Sequence, residues 1–286
     1  MARHRQLAAS SPLTTWSGAL HKSFRLLPTP QFGNEELLAF FQSDNGTHKS
    51  EILRKLPYDR ARSGPERNES EGPDAKRYRD PKQVFETCGL LWEDDDGRVR
   101  FTEFGLTLKH FLSVANPRNV ILIARHAALA LSVCQLRNPT GAGSRYSPVM
   151  QVFPYRCIWQ AMLAADYRIN SPELNRAVFR IQKPEHLAPA IESIYAYRET
   201  GDESVMGNET VSGDKKNDRI IPVVAIASFG WTLIDQKDGG YYRIKPECIR
   251  LIEAAVSLPA RHREYDDVKA YVTTISNAAC LPKDRR

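Results

Sequence analysis

A mostly helical α+β fold, built of two similar units in tandem, is what this sequence predicts. Three observations carry the prediction. A pattern recurs along the chain, first over Asp74–Leu112 and again over Asp214–Ala254. Each copy places a proline (Pro81, Pro222) eight residues before a glycine (Gly89, Gly230). Each glycine is followed by two β-prone stretches around an Asp-Gly turn and then by an amphipathic helix. A match in order, spacing and turn chemistry over that length marks a repeated structural unit.

The elements follow in order. Asn34–Phe41 and Lys49–Leu56 are expected as consecutive helices, with Thr47 or Ser50 as a cap. Pro81–Cys88 is expected as a short third helix. Proline costs nothing in a first helical turn, and Gly89 suits the left-handed position past a helix end. Val84, Phe85 and Cys88 give that helix an apolar face. Leu90–Glu93, the Asp96-Gly97 turn and Arg98–Phe101 read as a β-hairpin.

The second unit repeats this. Phe153–Ala165 and Ser171–Ile181 take the places of the first two helices, with Ser171-Pro172-Glu173 as a helix start. Pro222–Phe229 is the third helix, and Trp231–Ile234, Asp238-Gly239 and Tyr241–Ile244 form the hairpin. Helix, hairpin, helix is the latter half of a winged helix, so two tandem winged-helix (helix-turn-helix) subdomains are expected.

The domain expectation is a disordered tail over residues 1–15, a first subdomain over 16–116, a connecting helix and linker over 117–147, and a second subdomain over 148–286. Pro117–Leu136, rich in Ala, Ile and Leu, is the connecting helix, and Asn138–Ser147 the linker. The polar segments Arg60–Ala75 and Thr200–Asn217 read as mobile insertions. His186–Arg198 is an extra helix of the second unit, and the last helix falls near Tyr265–Ala279.

Composition narrows the functional classes. With 42% hydrophobic and 26% charged residues, the 286-residue chain has material for a core. No apolar run approaches the roughly 18 residues of a membrane span, and the segment after Arg3 and Arg5 is too polar for a signal peptide, so a cytoplasmic location is expected. Five scattered cysteines without a C-x-x-C pair imply reduced thiols, and seven histidines show no metal-ligand spacing, so neither a metal nor another cofactor is expected. The formal net charge of +6 favours phosphate or anionic partners.

Three stretches resemble a known family: CGLLWEDDDGRVRFTEFG (88–105), FGWTLIDQKDGGYYRIKPE (229–247) and VFPYRCIWQAMLAADYRINSPELNRAVFRI (152–181). They resemble the DNA-recognition domains of BpuJI-like modular restriction endonucleases, which are built of two winged-helix subdomains. The resemblance covers roughly residues 16–260. It implies a reader of double-stranded DNA, with no small-molecule substrate and no membrane partner. In that family a nuclease domain follows the reader, whereas this sequence stops at Arg286. A nuclease supplied separately is the corresponding expectation.

In a winged helix the third helix enters the major groove and the hairpin touches an adjacent groove or phosphates. The candidate DNA contacts of the first unit are therefore Arg77, Tyr78, Arg79, Lys82 and Gln83, with Arg98 and Arg100 on the hairpin. Those of the second are Lys215, Lys216, Asn217 and Arg219, expected in a loop before an apolar third helix, with Lys237 and Arg243 on its hairpin. This asymmetry suggests that the first unit reads and the second clamps. Arg3–Arg5 and His21–Arg25 are weaker candidates for a minor-groove arm, and Arg145 and Tyr146 for contacts between the units.

No nucleotide-cradling or nucleophile motif occurs, so no catalytic residue is expected. Asp235-Gln236-Lys237, with Asp218 upstream, has the letters of a PD-(D/E)xK nuclease but falls on the expected hairpin turn, and Asp94-Asp95-Asp96 sits at the equivalent place. A transcription regulator and a protein-interaction subunit are the alternatives of other classes.

Overall fold

The computed structural model describes residues 13–16, 39–55, 75–113, 118–141, 143–211 and 215–280, with the backbone alone at 75–77, 80, 215–219 and 236–238. The expected Arg3–Arg5 and His21–Arg25 arm and most of the Arg60–Ala75 insertion lie outside the described residues, as does the start of the Asn34–Phe41 helix.

Residues 39–41 are helical, and residues 46–48 then run beside a later strand. Helix α1 (Lys49–Lys55) and helix α2 (Ala75–Thr87) follow. Strands β1 (Leu91–Glu93) and β2 (Val99–Phe101) pair antiparallel, with Leu91 opposite Phe101, and helix α3 (Glu103–Ser113) comes next. Gly46 N donates to Val99 O (2.8 Å) and Val99 N to Thr47 O (2.9 Å), so residues 46–48 flank β2 on the side away from β1.

After helix α4 (Arg118–Ser132) the same order returns. Helix α5 (Pro154–Ala164) is followed by strand β3 (Arg168–Asn170) and helix α6 (Ser171–Arg176). An added helix, α7 (Leu187–Thr200), precedes α8 (Lys215–Ala227), and strands β4 (Ile234–Asp238) and β5 (Tyr241–Ile244) form the hairpin. The sheet order is β3-β5-β4, which matches residues 46–48, β2 and β1. Helices α9 (Ile249–Ser257) and α10 (Val268–Ala279) close the described chain.

Both third helices begin earlier than the prolines suggested. Pro81 and Pro222 sit inside α2 and α8 rather than in their first turns. An interior proline removes a backbone bond and costs about 3 kcal/mol. Packing on both sides carries α2 through it: Tyr78 before Pro81 stacks on Phe40 at 5.3 Å, and Val84 and Phe85 after it are fully buried.

The glycines also fall differently. Gly89 (φ +74°) occupies the left-handed position past α2, where its N–H reaches Glu86 O (3.1 Å) and the N–H of Leu90 reaches Phe85 O (2.8 Å). In the second unit the equivalent bonds run from Phe229 to Ile226 O (2.8 Å) and from Gly230 to Ala225 O (2.9 Å). There the left-handed position belongs to Phe229 (φ +46°). Such a backbone costs about 1–2 kcal/mol, and full burial of a phenylalanine returns about 1.5–3 kcal/mol. Phe229 is completely buried, so burial wins. Residues 231–233, expected in a strand, are consequently turns. The second hairpin turns on Gly239 (φ +54°) and Gly240 (φ +88°), the two positive φ values of a type I′ turn.

Three segments expected to be loose are tied down. Asn138 Nδ2 donates to Gln135 O (2.7 Å), and Tyr146, buried in the supposed linker, donates to Trp16 O (3.1 Å). Arg176 holds Glu203 (3.0 Å) and Glu209 (3.3 Å), while Asn175 Nδ2 donates to Val211 O (2.8 Å), fixing much of the second insertion. Leu13, placed in the tail, pairs with Tyr146. The cap of α6 is Asn170, one residue before the expected Ser171, and Asn170 and Glu173 cap each other reciprocally.

The ends of the described chain cross over. Trp16 donates from Nε1 to Ile181 O (2.7 Å) and stacks on Phe179 of the second unit. Helix α10, grouped by sequence with the second unit, packs on α4 and the first: Tyr271 donates to Thr87 O (3.1 Å), and Ser276 Oγ accepts from Phe104 N (3.0 Å). One continuous apolar core results, reaching from Trp16 to Ala279.

A Cβ on Gly89 would stand 2.4 Å from Ile275 Cγ2 of α10, in addition to the left-handed strain. Gly89→Ala is expected to destabilise the fold by about 1–3 kcal/mol, read by urea unfolding. Adding Ile275→Ala should recover part of the clash in a double-mutant cycle, and strict additivity would contradict this packing.

Candidate nucleic-acid interface

Helix α2 carries five of the residues proposed from sequence. Tyr78 is not a surface group: it is buried against Phe40 and donates its hydroxyl to Glu93 Oε2 (2.8 Å). Burial, reinforced by Glu93, pushes that phenol far above its usual range. Tyr78, expected as a DNA contact, is instead an interior support of the helix. Lys82 lies 3.4 Å from both Glu86 and Glu93, so its charge is already matched. Gln83 is half-buried against Gly141, where a Cβ would come within 2.5 Å of its Nε2. Arg79 is exposed, and Arg77 lies near the start of the helix.

Glu93 on β1 is the anchor under this helix. It accepts from Lys49 Nζ (2.8 Å) as well as from Tyr78. Burial alone would raise its carboxyl, but the bonds from Lys49 and Tyr78 and the charge of Lys82 together hold it below its ordinary value. Glu86 behaves oppositely: burial lifts it to about 6, with Lys82 only partly offsetting the shift.

On the first hairpin, Arg98 is exposed and donates to Gly46 O (3.1 Å). Asp94 accepts from the Arg98 N–H (2.8 Å) and pairs with Arg100 Nε (2.8 Å), and Arg100 holds its carboxyl below the usual range. Asp94 is thus a turn-forming group, and Arg100 is neutralised while Arg98 is not ion-paired to any described residue.

In the second unit, Lys215, Lys216, Asn217 and Arg219 belong to the first turns of α8, not to a loop ahead of it. From Val223 to Ala227 the same helix is buried. Both third helices therefore begin with a basic cluster and end in the core. Lys237 lies on β4 rather than on the turn, and Arg243 is exposed on β5.

Sequence reading missed Arg168 and Arg198. Arg168 on β3 faces Arg243 across the sheet, and Arg198 on α7 reaches the same place. They are far apart along the chain, and only the β3–β5 pairing unites them. Asp235 also lies on β4, where Lys245 is 3.8 Å away, and Asp218 lies on α8. Among the described residues no group of three or more His, Cys, Asp or Glu side chains could hold a metal ion, and no helix is long and apolar enough to cross a membrane.

No protein-family model matches this chain, and no curated protein does. Among solved structures it is similar to the binding domain of the BpuJ1 endonuclease, determined in complex with pyrene- and phenanthrene-modified DNA. The TM-score is 0.56 at 13% identity, over 84% of this chain and 90% of that one. The resemblance expected from the sequence therefore holds at the level of the fold.

The raised Glu86 carboxyl gives a signed pH dependence. Its folded value lies above the ordinary 4.5, so the native state binds more protons between about pH 4.5 and 6 and loses stability as pH rises through that window. Glu86→Gln should be more stable than the parent at pH 7 by up to about 2 kcal/mol, with the difference vanishing below about pH 4.5. Chemical denaturation at several pH values checks this; a less stable variant at pH 7 would show that the Lys82 pair outweighs burial.

Proposed function

We propose that this chain is a recognition module for double-stranded DNA, built of two tandem winged helices, with sequence preference and without chemistry of its own. The observation that carries the reading is the twice-repeated order of helix, strand, helix, helix and hairpin, with one sheet order, in which each third helix starts with basic residues. In winged helices that element is the one that reaches a groove. The shared fold with the BpuJ1 endonuclease binding domain, solved on DNA, supports the same reading.

On this reading the basic residues divide the work between contact and support. Arg77, Arg79 and Arg98 read or position the first unit, while Lys82, Arg100 and Tyr78 hold its helix and hairpin in place. Lys215, Lys216, Asn217 and Arg219 bring the second unit to the backbone. The core joining α4 to both units favours a single body that meets DNA with both readers set. A cytoplasmic restriction or defence system, with cleavage supplied by a nuclease elsewhere, is the setting that fits this module.

Phosphate contacts release counterions, so affinity for a mixed-sequence duplex should fall by about 10³–10⁵ between about 50 and 200 mM salt if six to ten phosphates are held. The double variant Lys215→Glu and Lys216→Glu should weaken binding on all sequences and flatten the salt slope. Acidic residues at a helix start are favourable, so the fold should survive the change. Unchanged affinity and slope would refute the contact at the start of α8.

A further inference from the structure

The outer face of the second sheet carries an unusual charge arrangement. Strands β3 and β5 place Arg168 directly opposite Arg243. Ile244 N donates to Tyr167 O (2.9 Å), which makes residues 167 and 244 a hydrogen-bonded pair. The alternation of an antiparallel ladder then puts Arg168 and Arg243 in the closer, non-hydrogen-bonded positions. Like charges so placed repel. Tyr241 shares this face of β5, and the guanidinium carbons of Arg168, Arg198 and Arg243 stand 4.8, 5.7 and 5.9 Å from its ring centroid. Ile169, Tyr242 and Ile244 bury the opposite face.

The neighbouring carboxylates do not saturate this cluster. Fully buried Glu173 is taken by Arg198 at 2.7 Å. Asp166 reaches Arg198 at 3.4 Å and Arg168 only at 4.0 Å, and is itself largely exposed. Asp235, across from Arg243 on β4, lies beside Lys245. Arg243 is exposed and has no ion-pair partner among the described residues, and Arg168 Nε is a buried donor without a hydrogen-bond acceptor there. The backbone entering β3 is strained: Asp166 (φ +56°) and Tyr167 (φ +59°) are consecutive left-handed residues that are not glycine, and Tyr167 is exposed.

We propose that this face binds a phosphate of the DNA backbone between Arg168 and Arg243, with Tyr241 as the floor beneath both guanidiniums. The inference rests on the DNA-binding reading and adds a contact on the sheet to those at the start of α8. Guanidinium forks suit phosphate oxygens, and an anion between them converts the cross-strand repulsion into a bridge. Stacking on Tyr241 holds the arginines flat while leaving N–H edges for the ligand. Arg198, fixed by Glu173, supports the arrangement from α7.

The test uses the whole chain and a mixed-sequence DNA duplex, titrated across a salt series, with Arg243→Thr, Arg168→Gln and Arg243→Lys variants. Each of the first two should flatten the salt slope by about 0.9 and weaken all duplexes alike, while melting no lower than the parent because the repulsion is relieved. Arg243→Lys keeps the charge and should retain most of the slope. An unchanged slope in Arg243→Thr and Arg168→Gln, with the parent still binding in a salt-dependent way, overturns this contact and leaves the DNA reading standing. Equal loss of slope in Arg243→Lys and Arg243→Thr overturns it as well. A parent chain that shows no salt-dependent binding overturns both.

Discussion

The close packing of helix α4 is the constraint on which the rest depends. Its buried side carries Ala124, Ala127, Ala128 and Ala130, small residues that let neighbouring helices approach. Helix α10 packs along it, with α9 and α5 from the second unit and α3 from the first. The crossing of the ends, with Trp16 in the second unit and Tyr271 and Ser276 in the first, ties the two halves further. On the proposed function, orientation of the two readers is settled during folding, so less ordering entropy is lost on binding.

Local chemistry was the legible part of this sequence. The Asp96-Gly97 turn forms where its residues demand it, with Gly97 at φ +72° and its N–H on Asp94 O at 2.9 Å. Helices α5 and α7 fall within a residue or two of their expected bounds. Where a local rule competed with burial, burial prevailed. Pro81 and Pro222 lie within helices because apolar side chains on both sides commit the backbone, and Phe229 takes a glycine-like conformation because its ring is buried.

Long-range pairing was the illegible part. Nothing local in Asn138–Ser147 reveals that Thr140 and Tyr146 are interior, because their partners Thr87 and Trp16 arrive from distant segments. The candidate interface shows the same division. That basic residues gather at two third helices could be read from the chain, yet their grades of availability could not. Glu93 converts Lys82 and Tyr78 from contact candidates into supports, and Asp94 does so for Arg100. Arg168 and Arg243 become neighbours only through strand register.

Selection from a random pool of duplex DNA by the purified chain tests the central claim most directly. The account predicts enrichment of one short, asymmetric site bound by a single copy, with protection spanning the contacts of both units. Recovery of a pool as diverse as the input, with no duplex retained above background at low salt, would contradict it.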